Sequence, residues 1–218
     1  MDVFDAIATT RAVRYFTDGV VSDAEVRRCL DAATHAPSGG NIQPWQFLVV
    51  REAATRAAIG AVYARAYARY EPALFAALPP FRTPDDEAAF HRSASASRHL
   101  AAHLAEASVL VLVLMPAISM TLQDDAGELD VGTPYASVYP AVQNMLLAAR
   151  ALGIGTTLTT VYRIYQQDVR DVCGIPERYE IVALVPFGRP ARPFRAGRRR
   201  PAQSVTHWET WGAREAAG

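Results

Sequence analysis

Four stretches of the chain carry residue types that could do chemistry. Arg11-Ala-Val-Arg14-Tyr-Phe16 places two arginines three apart, close enough to reach one ligand. A guanidinium presents a planar fork of N–H donors that suits a phosphate or a flat anion. The same pair would also neutralise the negative end of a short helix, and such pairs are common. Ala36-Pro-Ser-Gly-Gly-Asn41-Ile-Gln-Pro-Trp45 is more specific. Its two glycines let the backbone approach a ligand, and Ser38, Asn41 and Gln43 supply donors and acceptors together. A flat heterocycle with ring nitrogens and carbonyls needs that mixture. A plain turn needs only one Gly or Asn, and no Pro37, Pro44 and Trp45 to stiffen its edges. It reads as a ligand loop.

The other two stretches are weaker. Gly153-Ile-Gly155-Thr-Thr-Leu-Thr-Thr160 contains a Gly-x-Gly, but it follows a helix and has Leu158 where a third glycine would stand. The dinucleotide fingerprint is therefore rejected, leaving a threonine-rich strand with hydroxyls on both faces. Residues 189–200 hold six arginines and no acid. Prolines break that run, so it is no basic helix, and one or two of its arginines could close over a phosphate.

Several chemistries are excluded. The chain has no lysine, so Schiff-base, pyridoxal-phosphate, Walker A and kinase lysine chemistry are absent. There is no Gly-x-Ser-x-Gly and no P-loop. His99, His103 and Glu106 could share a helix face, but the glutamate that a zinc protease needs after its first histidine is missing, so no metal is expected. Cys29 and Cys173 stand far apart and read as buried small hydrophobes. The 22 basic and 22 acidic residues cancel, which argues against nucleic acid or a membrane surface as partner. The acidic start is unlike a secretory leader, and the apolar stretch Val109 to Met120, interrupted by Pro116 and Ser119, is shorter than the ~18 residues of a bilayer span. A cytoplasmic protein is expected.

The elements that must hold these stretches can be read from pattern. A short helix begins near Val3. Ser22-Asp-Ala-Glu25 is a capping box, and the helix that it opens carries Val26, Cys29, Leu30 and Ala33 on one stripe. Trp45 to Val50 reads as a buried strand. Helices are expected from about Ala53 to Tyr70 and Asp85 to Glu106, with a proline-broken stretch between them. Val109 to Leu114 is apolar without alternation, which implies a strand covered on both faces. Asp124, Asp125, Glu128 and Asp130 read as a solvated loop. The longest helix is expected over Gly132 to Leu152, capped by Gly153. A strand follows from Gly155 to Tyr162, a short helix from Gln166 to Cys173, and a last strand from Ile181 to Phe187. The sum is an α+β or α/β protein with a central sheet flanked by helices, in one domain spanning 1–218 whose residues 189–218 form an extended tail.

The order of these motifs resembles the nitroreductase family. Arg-x-x-Arg-x-Phe is followed by Ala-Pro-Ser-Gly-Gly-Asn-x-Gln-Pro-Trp, then Gln143-Asn144 through Gly153, then Gly174-Ile-Pro-Glu and Val185-Pro-Phe-Gly-Arg-Pro190. Arg199-Arg-Pro201 with Val205-Thr-His-Trp208 completes the pattern, so the likeness runs from about residue 3 to residue 211.

The resemblance implies an α+β homodimer with FMN at the subunit interface, reduced by NADH or NADPH, acting on small electron-poor acceptors such as nitroaromatics or quinones. It implies that Arg11 binds the FMN phosphate, that Ala12 and Val13 line the ribityl path, and that Arg14 lies at the pyrimidine edge. Pro37, Ser38, Gly39, Gly40 and Asn41 would come from the partner with Gln43 nearby. Leu158, Thr159 and Thr160 would contact flavin N5, and Arg199 would close on the phosphate. No protein acid or base is implied, because the flavin carries the chemistry. Other reactions share the fold, among them reductive dehalogenation and flavin fragmentation, as would a non-catalytic flavin-storing or sensing protein. Tyr63 to Phe90 fall in the family's most variable region and transfer no substrate identity.

Overall fold

A four-stranded antiparallel sheet forms from β1 (Gln46–Val50), β2 (Val109–Pro116), β5 (Gly155–Thr156) and β6 (Tyr179–Gly188), in the order β1-β2-β6-β5. The computed structural model describes residues 1–117 and 122–214. The end of the long apolar stretch, 118–120, and the last four tail residues, 215–218, lie outside that range.

The unalternating sequence of β2 has a direct cause. Val109, Val111, Val113 and Met115 pack on one face, against Val26 and Cys29 of α2 (Asp23–Thr34) and Val138, Val142 and Met145 of α5 (Tyr135–Ala151). Leu110, Leu112 and Leu114 pack on the other, against Ile59 and Tyr63 of α3 (Ala53–Ala76) and Leu100 of α4 (Pro84–His103). Both faces are dry, so both sets of side chains are apolar. The expected α+β layering follows. Among the described residues no helix is long and apolar enough to cross a membrane.

Helix boundaries follow local chemistry where caps exist. The Ser22 side chain accepts the Glu25 amide at 3.3 Å, while Glu25 accepts the Ser22 amide at 2.9 Å, as the capping box predicts. Proline alone misleads: α3 continues past Pro72 to Ala76 instead of ending near Tyr70. Tertiary contacts hold its last turn, with Glu71 paired to Arg98 at 2.8 Å and Phe75 edge-on to Phe90 at 5.3 Å. α5 starts at Tyr135, because Gly132 has φ +83° and Pro134 occupies the cap.

Two expectations need correction. The strand expected over Gly155 to Tyr162 stops after Thr156, returns for a single bridge between Thr159 and Leu184, and becomes a 3-10 turn over Val161–Tyr165. The acidic segment is exposed as expected, yet it is a hairpin of β3 (Leu122–Asp124) and β4 (Gly127–Leu129). Asp124 makes its turn by accepting the Ala126 amide at 2.8 Å. α1 (Val3–Thr9) and α6 (Gln166–Cys173) complete the set.

Candidate functional site

The chain leaves α1 at Thr10 and runs extended along β5. Val13 donates its amide to the Thr156 carbonyl at 2.8 Å, and Gly155 makes the approach possible. A Cβ at Gly155 would lie 2.6 Å from Val13 Cγ1. Two residues on, Ala191 donates to the Tyr15 carbonyl at 3.0 Å, and Thr17 donates to the Arg189 carbonyl at 2.9 Å. The first arginine motif and the start of the tail are therefore one ribbon. The Tyr15 ring stacks on His99 with centroids 4.0 Å apart, and the Arg192 guanidinium lies 4.9 Å from the Tyr15 centroid. His99 in turn stacks on His103 at 4.1 Å. These two histidines, which the sequence places on one face of a helix, are half-buried packing groups.

This ribbon forms one wall of a cleft of about 840 Å³. Arg11 to Tyr15 line it, with Arg192 to Arg195 beside them. The facing wall is a stripe of α4, where Ala89, Arg92, Ser93 and Ala96 recur at helical spacing. Five arginines therefore meet in the cleft, and no carboxylate lines it. None of the five takes part in an ion pair among the described residues. Burial lowers the pKa of Arg14 from its ordinary value, yet a guanidinium stays charged throughout the physiological range. A cationic, acid-free cleft of this size suits a phosphorylated small molecule.

Arg14 also borders a second hollow of about 240 Å³, lined by Tyr63, Tyr67, Tyr70, Phe90 and residues 157–159. The Tyr63 hydroxyl lies 2.9 Å from Thr159 Oγ1, and both residues are buried. Burial raises the pKa of the Tyr63 phenol and pushes that of Tyr67 up to about 12, so both phenols keep their protons at neutral pH. The hollow offers aromatic walls and hydroxyl donors, with no group poised to act as a base.

The residues singled out from sequence divide into two sets. Arg11, Ala12, Val13 and Arg14 share the cleft, and Leu158 and Thr159 join Arg14 in the hollow. Thr160 caps the following 3-10 turn and lines neither space. Pro37, Ser38, Gly39, Gly40, Asn41 and Gln43 lie elsewhere on the chain surface, between α2 and β1. Their loop is tightly built, with φ of +56° at Gly40 and Asn41 and +46° at Gln43. Gly39 donates its amide to Ser137 Oγ at 3.1 Å, and Gln43 donates its amide to Ser38 Oγ at 3.0 Å. Arg199 is also outside both spaces; its guanidinium turns back to the Arg198 carbonyl at 3.0 Å. Arg92 was not anticipated, whereas Arg192 and Arg195 belong to the basic run of which one or two arginines were expected to close over a phosphate. The signal for Arg92 was a lone arginine and a serine among alanines at helical spacing, which reads equally well as a solvated face.

The sequence model described as "Nitroreductase family" matches residues 7–189. A protein of Thermus thermophilus named NADH dehydrogenase is 27% identical over 212 residues, covering 95% of this chain and 96% of the relative. Iodotyrosine deiodinase bound to FMN and 3-iodo-L-tyrosine superposes with a TM-score of 0.74 at 22% identity, covering 96% of this chain and all of that one. An FMN- and NADPH-dependent nitroreductase derived from Sphigopyxis sp. strain HMH, solved as a point variant, gives 0.71 at 21% identity, covering 97% of this chain and all of that one.

Proposed function

The chain belongs to the nitroreductase family, and from that premise we propose that it is an FMN-dependent oxidoreductase. It would take reducing equivalents from NADH or NADPH and deliver them to nitroaromatic, quinone or similar electron-poor acceptors. The observation that carries this reading is the acid-free cleft in which Arg11 to Arg14, backed by β5, meet further arginines.

The donor set fits FMN. A phosphate dianion needs cations without competing carboxylates, and Arg11 supplies one at the cleft wall. Ala12 and Val13 are small enough to lie along a ribityl chain. Arg14, half-buried between the cleft and the hollow, would supply the positive charge that favours a flavin pyrimidine edge gaining negative charge on reduction. Leu158 and Thr159, which line the hollow with Thr160 beside them, would offer their backbone to the reactive ring edge. Bound FMN would supply the redox chemistry, accepting a hydride equivalent at N5 and passing two electrons to the acceptor. The protein residues bind and orient; the high phenol pKa values of Tyr63 and Tyr67 suit donors, not bases.

A homodimer would complete the site. Pro37 to Asn41, with Gln43, would come from a second copy, since they line neither space within one chain. Trp208 is 50% exposed, Trp211 91% and Phe4 79%, which leaves apolar surface for a partner to cover. Arg199 would reach the phosphate only in that assembly. Residues 1–218 would act as one domain in the cytoplasm, with Cys29 and Cys173 as free thiols.

A purified sample should be yellow, release FMN on denaturation, bleach anaerobically with NADH or NADPH, and give parallel initial-rate lines. FAD, no flavin, or intersecting lines would overturn the reading. The ring-sized hollow walled by Tyr63, Tyr67, Tyr70 and Phe90 favours a second reading, reductive dehalogenation of a phenol. Halide release from a halogenated tyrosine, faster than nitroarene reduction, would select it.

A further inference from the structure

The cleft holds more positive charge than one FMN requires. Five arginines line it, and a phosphate monoester carries at most about two negative charges near neutral pH. Arg11 and Arg14 lie on the segment that the flavin reading uses, and the Arg192 guanidinium lies against the Tyr15 ring of the same ribbon. Arg92 and Arg195 remain.

Arg92 sits on the opposite wall, on a helix fixed at its start by Thr83, whose hydroxyl accepts the Asp86 amide at 3.1 Å. Small residues surround it: Ala89 and Ala96 leave room above and below, and Ser93 and Ser95 add hydroxyl donors to the same cleft. The contrast with Arg98, on the same helix, is informative. Arg98 is held by Glu71 at 2.8 Å, while Arg92 has no ion-pair partner among the described residues. A guanidinium with adjacent hydroxyls and open space is a phosphate-binding arrangement, and Arg92 stands on α4, a different element from the ribbon that carries Arg11.

Resting on the flavin reading above, we propose that Arg92, assisted by Arg195 and the Ser93 and Ser95 hydroxyls, binds the extra phosphate monoester of NADPH and makes it the preferred reductant. Family membership leaves this choice open, since one relative is named for NADH and another for NADPH. NADH has only its pyrophosphate to offer. The additional monoester of NADPH adds nearly two charges, matching the cations that FMN leaves over.

The test uses the flavin-loaded protein. Flavin content is measured first, in wild type, Arg92→Ala, Arg92→Lys and Arg195→Ala. Anaerobic rapid mixing then gives kcat/KM for flavin reduction by each nicotinamide. Wild type should favour NADPH by about ten-fold or more, the effect of one charge-assisted contact. Arg92→Ala should lower the NADPH value by about ten-fold while changing the NADH value by less than about two-fold. Arg92→Lys should recover part of the loss, and Arg195→Ala should move in the same direction as Arg92→Ala. A second readout needs no turnover: adenosine 2′,5′-bisphosphate should bind more tightly than 5′-AMP, and Arg92→Ala should abolish the difference.

Equal use of the two reductants, equal losses in Arg92→Ala, or flavin loss in that variant would overturn the proposal. So would a selective slowing of reoxidation by a carboxylate-bearing acceptor, which would assign Arg92 to the acceptor instead. A colourless wild-type protein would overturn the flavin reading, and the nucleotide-binding comparison would still decide the fate of Arg92.

Discussion

Val13 donates its backbone amide to the carbonyl of Thr156 at 2.8 Å, and that bond fixes the arginine ribbon against the sheet. It sets where Arg11 and Arg14 stand relative to residues 157–159. The bond exists because residue 155 lacks a side chain: a Cβ there would come within 3.0 Å of Val13 Cβ and 2.6 Å of its Cγ1.

Gly155→Ala should therefore push the ribbon off β5. Overpacking of this kind costs about 1–3 kcal/mol, which denaturant unfolding will read as a lowered midpoint. Flavin retention should fall as well, because Arg11 and Arg14 move with Val13. A variant of unchanged stability that stays yellow would contradict the role given to this contact.

Arg11 and Arg14 should fail differently. Arg11→Ala should weaken FMN binding by about 1.5–3 kcal/mol, the worth of hydrogen bonds to a charged group, seen as colour lost on gel filtration. Arg14→Ala should retain more flavin but make it harder to reduce, since on the proposed reading a half-buried cation at that position would favour the reduced form. A potentiometric titration with a midpoint unchanged from wild type would remove Arg14 from that role.

The ribbon and tail have an acid-sensitive anchor. Arg189 Nη2 lies 2.8 Å from both carboxylate oxygens of Glu25. Together with the Ser22 amide, this holds the Glu25 pKa below its ordinary value of 4.5. A depressed carboxyl pKa contributes stability above the unfolded value and loses it as pH falls through the folded one. Glu25→Gln should thus be less stable than wild type at neutral pH. The gap should close below pH 4.5 as wild-type Glu25 takes up its proton. Thermal melts across that range check it; a constant gap would place the effect elsewhere.

Removing everything after Gly188 deletes the arginines 192 and 195 from the cleft and both tail tryptophans. The ribbon also loses its bonds from Tyr15 and Thr17 to residues 189 and 191. The truncated protein should be flavin-free and should dimerise poorly by light scattering. A yellow, stable dimer without the tail would refute the place given to it.

Much of this was legible in the chain. β2 could be read as a strand buried on both faces because its two sets of side chains meet two separate cores. Ser22 and Glu25 announced a helix start because the groups that satisfy a helix end lie within four residues of it. The arginines at 11 and 14 and the loop at 36–45 stood out by residue type alone.

What the tertiary structure decided is which of these distant segments meet. Pro72 sits within a continuing helix because α4 supplies partners for its last turn. The threonine strand breaks after Thr156, and the ribbon carrying Val13 bonds there. The cleft takes Arg92, Arg192 and Arg195 and leaves out Arg199 and the 37–43 loop. Period, caps and turn residues are local signals, fixed by neighbours a few positions away. The membership of a cleft depends on register between segments far apart in the chain, and here that register turns on a missing Cβ at Gly155 and on the bond from Ala191 to Tyr15 that brings residues 192–195 beside the ribbon.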